Sequence, residues 1–571
     1  MKKYILISLA ILGLNSCTKD FLDRQPLSEL TVDTYYKTSQ DALSATLAMY
    51  SVLQGPRFYG KAYYNFLEIA SDDATNKVQP DAVDIFQWSG VQGAPGSGDF
   101  EALWAVCFEG IYRTNLVLEN VPKIQMADSS KSKMLAEARF LRALYYWHVV
   151  NLYGDVPIIT TVAKGIDELY IERSPVSEVY KLIHSDLDAA IAGLPFDWDA
   201  GNLGRATKYA AYALKGKCHL YRKEYSEAIV NFNQIINSGR FKLMPKFENI
   251  FSPEYENDRS TESIFEIQYG ERGPWPPING FFTDGGTAGE GSQRSLVMGG
   301  QSIGLQRNFG EVIATNDLFQ EFELGDPRFR ETIYYPFDWS GKIKPDTMSA
   351  YDGDGNQTFE LYRTVYLDAV RVGQRQSERL SFFHIKKAVF GYVGIGTTLN
   401  DPTNWRMIRY ADVLLMQAEA LAERGDLTDA INLLNSLRVA RREGKTKDII
   451  SITTVAGNVD TLFTDVLLEY PYYATGLSGR EFNFIDVNLE TFRAALVHER
   501  RVELAFEYHR FLDMKRWDDI PGHPGAASVV FTSKANPADN KNYIKGVHDR
   551  CPIPQYQIDL SKGSLTQNPG Y

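Results

Sequence analysis

The chain has 571 residues, of which 44% are hydrophobic and 13% are aromatic. This is enough apolar material for a large core and too much for a disordered chain. Acidic residues outnumber basic ones by 72 to 60, giving a formal net charge of −12, and no run of Lys and Arg exceeds two residues. Because nucleic-acid binding requires a basic surface that displaces counterions, this composition argues against a polynucleotide ligand.

The first predicted element is an export signal. Two lysines precede an apolar run over residues 4–14, which is too short to span a bilayer and has the length of a secretory signal. The run leads into Ser16-Cys17, a small residue before Cys that is typical of a lipobox. We therefore expect residues 1–16 to be a lipoprotein signal peptide and Cys17 to be the acylated lipid anchor. The alternative is an ordinary cleavage site near Cys17.

The next part of the chain shows helical periodicity. Residues 33–119 follow a helical pattern with interruptions, and Pro122 marks its end. Residues 134–152 predict a strong helix that ends at Gly154, because glycine accepts a positive φ. A further helix is predicted over residues 177–194.

Two segments predict tetratricopeptide-like helical hairpins. In the first, Tyr212, Gly216, Ala228 and Phe232 stand at signature positions of the repeat, and the second covers residues 411–437. Small residues let two helices cross closely, and large ones fill the groove between them. A last long helix is expected from Phe492 to about Trp517.

Between residues 241 and 404 Gly and Pro become frequent, and short alternating stretches predict brief strands among long aromatic loops. Flat aromatic rings stack on the apolar faces of sugars, and polar neighbours bond the hydroxyls. A single loop aromatic more often packs in a small cluster under its own loop. The aromatic candidates for ligand binding are Trp88, Trp275, Tyr335, Trp339 and Tyr392.

Three polar residues complete the predicted ligand site. Asp72 and Asp73 could accept hydrogen bonds from vicinal hydroxyls, and Arg371 could donate to ring or hydroxyl oxygens. The alternatives are a solvated turn for the two carboxylates and a solvated face for the arginine.

Signatures of catalysis and of metal binding are weak. The sequence contains no G-x-S-x-G, H-E-x-x-H or P-loop motif, although a distant pair of carboxylates stays open. Residues 352–356 resemble the start of a calcium loop, but Gln357 stands where glycine is needed and Arg363 where a bidentate Glu is needed. We expect no catalytic residue, no cofactor and no metal.

The charged run over residues 499–507 predicts pairs between Arg500 and Glu503 and between Glu507 and Arg510 along one helix. A structural network that ties this helix to its neighbours is favoured over a catalytic carboxylate.

Several motifs occur together, in order, over nearly the whole chain. They are Asp20-Phe21-Leu22-Asp23, Trp104 with Tyr112 and Asn115, residues 136–143, Tyr153-Gly154-Asp155-Val156-Pro157, Gly204-Arg205-Ala206-Thr207, residues 409–420, residues 499–504 with residues 513–517, and the closing Gln567-Asn568-Pro569-Gly570-Tyr571. By this set the chain resembles the SusD/RagB family of nutrient-binding outer-membrane lipoproteins.

The resemblance implies a mainly α fold, in which tetratricopeptide-like hairpins form a superhelical scaffold packed against an irregular loop-rich part with a few short strands. It divides the chain into an N-terminal helical region, 17–240, and a C-terminal region with aromatic-rich loops, 241–571. Family members cover a TonB-dependent SusC-like transporter and help to capture oligosaccharides, so the same partner is implied here, with the protein exposed at the cell surface.

The sequence therefore predicts a non-catalytic lipoprotein that binds an oligosaccharide or polysaccharide and delivers it to the transporter. Three alternatives stay open: the same role for peptides or another nutrient, a surface glycoside hydrolase, and a tetratricopeptide scaffold that binds only proteins.

Overall fold

The computed structural model describes residues 32–55, 57–59, 62–76, 94–270, 312–322, 326, 328–334, 350–351, 357–358, 384–385, 387, 403–442, 449–453, 459–463, 488–532 and 543–571. These residues are mainly helical with a few short strands, which confirms the expected fold class.

The N-terminal half of the described chain is built almost entirely from helices. They are α1 (Val32–Tyr35), α2 (Ser39–Gln54), α3 (Ala62–Ile69), α4 (Gly98–Asn120), α5 (Asp128–Tyr153), α6 (Val176–Gly193), α7 (Lys208–Tyr221) and α8 (Tyr225–Ile236). Helix α5 packs against both α4 and α6, so it is buried along most of its length. It ends where Gly154 takes a φ of 77°, as its sequence predicts.

The first predicted hairpin is confirmed as α7 and α8. A Cβ atom on Gly216 would lie 2.5 Å from Cε1 of Phe232, so the two helices cross at a point that only glycine permits. Helix α8 also packs against a second hairpin farther along the chain. That hairpin follows α9 (Asn316–Glu321) and α10 (Arg328–Thr332), and consists of α11 (Tyr410–Arg424) and α12 (Leu427–Arg442).

The strands form two-stranded antiparallel pairs. The strands are β1 (Ala74–Asn76), β2 (Ser263–Ile267), β3 (Val312–Ala314), β4 (Ile333–Tyr334), β5 (Ala350–Tyr351), β6 (Gln357–Thr358), β7 (His384–Ile385), β8 (Trp405–Arg409), β9 (Ile449–Thr453) and β10 (Val459–Phe463). The pairs are β1 with β3, β2 with β8, β4 with β7, β5 with β6 and β9 with β10.

The expectation of one long terminal helix is wrong, because the structure breaks it into two. Helix α13 (Leu489–Leu504) ends before a turn in which Phe506 and Tyr508 have φ values of 63° and 67°, and α14 (Arg510–Trp517) follows. In this turn the ring of Tyr508 stacks on Trp405, with ring centroids 4.5 Å apart. The backbone N–H of Tyr508 donates to Glu68 over 2.7 Å. These tertiary contacts override a continuous helical pattern.

Two short helices complete the described chain, α15 (Ala527–Thr532) and α16 (Gln555–Leu560). None of the described helices is both long and apolar enough to cross a membrane. Cys107, in α4, Cys218, in α7, and Cys551 are free and buried.

Candidate functional site

The described strands hold the ends of the aromatic segments that the sequence singles out. In the β1–β3 pair, Asn76 is the register partner of Val312. Segment 77–93, which contains Trp88, begins directly after Asn76, and segment 271–311, which contains Trp275, ends directly before Val312. These two segments therefore join the scaffold side by side.

A second pair of strands joins two further segments. Tyr334 of β4 is the register partner of His384 of β7. Tyr335 and Trp339 follow Tyr334, while the segment with Arg371 ends just before His384. Strand β7 also contacts β3, so both strand pairs lie in one neighbourhood.

We call the places where these segments join the described strands attachment points. The β1–β3 and β4–β7 pairs form the first two, and a third lies at the end of β2. The backbone N–H of Tyr269 donates to Oδ1 of Asn404 over 2.8 Å, and Nδ2 of Asn404 donates to Glu266 over 2.9 Å. Trp275 follows Tyr269 closely in sequence, and the segment that contains Tyr392 ends just before Thr403. Cys17, Trp88, Trp275, Tyr335, Trp339, Arg371, Tyr392 and the calcium-like run 352–356 themselves lie outside the described residues.

Asp72 and Asp73 directly precede β1 and are buried, with exposed fractions of 4% and 0%. Nε of Arg510 donates to Asp72 over 2.7 Å, and Nε of Arg501 donates to Asp73 over 2.7 Å. The two carboxylates therefore form ion pairs with arginines and are not exposed to solvent. This geometry does not support the expected role of Asp72 and Asp73 as acceptors for ligand hydroxyls.

The backbone carbonyls of Asp72 and Asp73 also hold β1 against β3. The hydroxyl and the backbone N–H of Thr315 donate to the carbonyls of Asp72 and Asp73, over 2.8 and 2.9 Å. Since Asp73 directly precedes β1 and Thr315 directly follows β3, the contact holds the two strands together at the end of the pair opposite to Asn76 and Val312.

Helix α13 and the turn after it hold the β4–β7 pair through ion pairs. Nη1 of Arg328, in α10 just before β4, donates to Glu499 over 2.6 Å and to Glu503 over 3.0 Å. Nζ of Lys387, just after β7, donates to Glu507 over 2.8 Å. Each strand of the pair is therefore tied to the terminal charged run.

The pairs expected along one helix are replaced by contacts between elements. Glu503 accepts from Arg409 and Arg441, each over 2.7 Å, and Arg500 pairs with Asp513 and Asp412. The prediction of Arg500–Glu503 and Glu507–Arg510 pairs is wrong, whereas the predicted structural network is confirmed. Helix spacing alone cannot show that these side chains are buried against oppositely charged neighbours.

Burial and ion pairing compete in setting the pKa values of this network. Burial favours a raised pKa for Glu503, but Arg441, Arg409 and Arg328 outweigh it and hold the pKa well below its usual range. For Asp73 burial dominates over Arg501, so its pKa is raised. Burial, assisted by nearby Asp73, also raises the pKa of Glu68. The network is a structural one in which the arginines hold several carboxylates ionised.

A groove of about 420 Å³ lies between α2, the turn at Gly204 and β2. Its polar lining is already engaged: Arg205 pairs with Glu137, and Gln54 donates to the carbonyl of Gln268 over 2.5 Å. These contacts leave Arg205 and Gln54 with fewer free donors for a ligand, so the groove is a weaker candidate than the strand attachment points.

Sequence reasoning missed Arg328 and Lys387, which hold the β4–β7 pair, and the role of Arg409 in the same buried charged network. One signal was present for Arg409, since arginines at both 406 and 409 interrupt a short apolar strand pattern. Both are buried in β8, where charged residues need partners.

Comparison with known families gives two matches along the chain. A family model described as "SusD family" matches residues 248–571, and one described as "Starch-binding associating with outer membrane" matches residues 20–220. Together they cover most of both halves of the chain.

Curated relatives match over most of the chain. "SusD-like protein P38" of Formosa agariphila is 28% identical over 529 residues, covering 90% of this chain and 90% of the relative. "Starch-binding protein SusD" of Bacteroides thetaiotaomicron is 23% identical over 492 residues, covering 78% of this chain and 84% of the relative.

Solved structures share the fold. "Laminarin binding SusD-like protein" has a TM-score of 0.66 at 24% identity and covers 94% of this chain and 100% of its own. "Surface glycan-binding protein A from Bacteroides thetaiotaomicron in complex with laminarihexaose" has a TM-score of 0.65 at 20% identity, covering 93% of this chain and 99% of its own. At these identities the structures show the common fold alone.

Proposed function

The chain belongs to the SusD family, and on that premise we propose that it is a non-catalytic outer-membrane lipoprotein that binds an oligosaccharide or polysaccharide. In this proposal the protein is acylated at Cys17, is exposed at the cell surface, and delivers its ligand to a TonB-dependent SusC-like transporter. The structural neighbours whose names include laminarin or laminarihexaose support a glycan as the ligand class.

One observation carries the ligand site. The described ends of the segments with Trp88, Trp275 and Tyr335 meet at the contacting strand pairs β1–β3 and β4–β7. Segments that leave a scaffold at neighbouring points can reach a common ligand, and loops on a rigid scaffold commonly carry binding residues.

We assign stacking on sugar rings to Trp88, Trp275, Tyr335, Trp339 and Tyr392, and donation to hydroxyl or ring oxygens to Arg371. Asp72 and Asp73 are left out of the proposed site because both are buried against arginines. The affinity is expected to be modest, with Kd roughly micromolar to millimolar, because the ligand must be passed on.

The test is calorimetric titration of a soluble form lacking residues 1–17 with panels of glycans and peptides. Binding of a glycan should weaken in the separate variants Trp88→Ala, Trp275→Ala and Trp339→Ala. Tyr556→Ala is the matched control, since Tyr556 is an exposed aromatic on α16 in the described structure, with 55% exposure.

Three results would contradict the proposal. Unchanged glycan affinity in every aromatic variant would refute stacking, and binding of peptides alone would assign a different nutrient. Steady release of sugar from a polysaccharide by the pure protein would show a hydrolase instead.

A further inference from the structure

Three potential metal ligands meet at the first hairpin, away from the strand attachment points. His184 lies in α6, His219 in the last turn of α7, and Glu224 immediately before α8. Their ligand atoms all lie within 4.8 Å of one another. The two imidazole rings are stacked, with centroids 4.1 Å apart and an interplanar angle of 22°. Because the lone pair of a ring nitrogen lies in the plane of the ring, at least one ring has to rotate before both can ligate the same ion. No sequence motif indicates this group, because His184 and His219 are widely spaced along the chain.

The side chain of His184 has unsatisfied polar atoms, as expected of a metal ligand in the absence of its ion. Both of its ring nitrogens are buried and have no hydrogen-bond partner. Buried polar atoms are almost always satisfied, so each exception requires a physical reason. A neutral imidazole offers a lone pair at one ring nitrogen, which is the atom that ligates a metal ion.

The other two ligands give the group access to solvent. Nδ1 of His219 lies 2.6 Å from Oε2 of Glu224, and the side chains are 12% and 46% exposed. A metal ion can replace the proton shared by such a pair, because ligation requires a neutral imidazole and an ionised carboxylate.

The nearby cations do not occupy the site. Lys215 forms an ion pair with Asp188, and the guanidinium of Arg222 lies 5.3 Å from the ring centroid of Tyr180. Both therefore have other partners, although Lys215 still contributes a repulsive charge.

We propose that His184, His219 and Glu224 bind one divalent transition-metal ion of the zinc class. Two imidazole nitrogens and one carboxylate oxygen form a common zinc ligand set, with a fourth position left for water. Ca²⁺ and Mg²⁺ fit less well, because they prefer six or more oxygen ligands. The ion would tie α6 to the turn between α7 and α8.

The site is independent of the glycan proposal and has a direct test. Full-length protein without a polyhistidine tag is titrated with Zn²⁺ by calorimetry and with Co²⁺ by visible spectroscopy. We expect saturation at one equivalent, the ligand-field bands of tetrahedral Co²⁺, and a higher Tm with the metal, because an ion that binds only the folded state stabilises it.

Two variants and a control locate the binding. His184→Gln should abolish the Co²⁺ bands, and Glu224→Gln should weaken Zn²⁺ binding by about tenfold or more. Glu227→Gln is the matched control, because Glu227 is exposed on the first turn of α8 and is not one of the three ligands. It should leave binding unchanged.

Absence of saturable Zn²⁺ binding to the wild type would overturn the proposal. So would equal binding by the wild type and Glu224→Gln. The Glu224→Gln result decides the matter even if His184→Gln fails to fold, because Glu224 is at the surface, with a side chain 46% exposed.

Discussion

Arg501 and Asp73 are 428 positions apart in the sequence, yet Nε of Arg501 donates to Oδ1 of Asp73 over 2.7 Å. Both side chains are buried, at 3% and 0% exposure. The contact ties helix α13 to the residue that directly precedes β1. The terminal helix therefore fixes one attachment point of the proposed ligand site.

Replacement of Arg501 by Met tests this role. The variant keeps an apolar side chain in place but removes the guanidinium from Asp73 and from Glu321, which Arg501 contacts at 3.2 Å. Breaking a buried ion pair by removing one partner costs about 3–5 kcal/mol. We expect a loss of this size in the free energy of unfolding, measured by urea denaturation.

The control for Arg501 is an exposed ion pair. Lys181 and Glu178 lie 2.7 Å apart, with side chains 72% and 49% exposed. Lys181→Ala should cost less than about 1 kcal/mol, because solvent screens the pair. Similar losses for Arg501→Met and Lys181→Ala would contradict the structural role of Arg501.

Asp72→Asn separates stability from ligand binding. Asp72 accepts from Nε and Nη2 of Arg510 over 2.7 and 3.0 Å, so its neutralisation weakens a buried pair. The free energy of unfolding should fall by about 1–3 kcal/mol, the cost of an imperfectly satisfied buried group. The Kd for the bound glycan, measured by calorimetry on folded protein, should stay unchanged.

One outcome would support the role that the sequence predicts for Asp72, an acceptor of hydrogen bonds from ligand hydroxyls. If Asp72→Asn weakened glycan binding strongly while the urea midpoint stayed at its wild-type value, the carboxylate would have to contact the ligand.

Local patterns predicted what local contacts decide. Repeat spacing alone predicts a helix crossing at Gly216 and Phe232, and their close approach is confirmed. The sequence also predicts the helix end at Gly154, because the conformational requirement of this glycine is local.

Local sequence patterns cannot predict ion pairs between residues that are far apart in the sequence. Turn preferences favour solvent exposure of Asp72 and Asp73, but both are buried. Asp72 pairs with Arg510, 438 positions away, and Asp73 pairs with Arg501, 428 positions away. The helix pattern over residues 492–517 likewise could not reveal the turn at Phe506, which depends on contacts of Tyr508 with Trp405 and Glu68. The proposed ligand residues could be chosen only by residue type and loop-like sequence.

His509 predicts a pH dependence of stability in mildly acidic solution. Burial, followed by the nearby charge of Lys217, lowers the pKa of His509 to about 4, with Asp412, Arg500 and Asp513 as the other charged neighbours. An unfolded His titrates near about 6.5, so between these values the unfolded chain binds more protons. The free energy of unfolding should therefore fall as the pH drops from about 6.5 to about 4.

The slope from this one residue is about 1.4 kcal/mol per pH unit within that window. His509→Gln should reduce the slope, measured as the free energy of unfolding at several pH values. Glu503 acts in a different window: its pKa is depressed, so its stabilisation is lost only as the pH falls below its usual value of 4.5. Equal slopes between pH 6.5 and 4 for the wild type and His509→Gln would refute the assignment.

Gly216→Ala tests the crossing of α7 and α8. The added Cβ would lie 2.5 Å from Cε1 of Phe232, whose side chain is fully buried. Overpacking of this kind costs about 1–3 kcal/mol, which should exceed the gain of up to about 1 kcal/mol from the better helix propensity of Ala. A lower urea midpoint is therefore expected.

Two further variants show whether the steric contact is the cause. Gly98→Ala is the matched control, because nothing lies within 4 Å of the Cβ that it adds at the start of α4. It should leave stability unchanged or slightly raised. In the background of Phe232→Leu, which removes the outer ring atoms, Gly216→Ala should cost less than it does in the wild type, since the two residues are in contact and their effects do not add. An equal cost in both backgrounds would mean that the glycine is required for some reason other than the approach of the Phe232 ring.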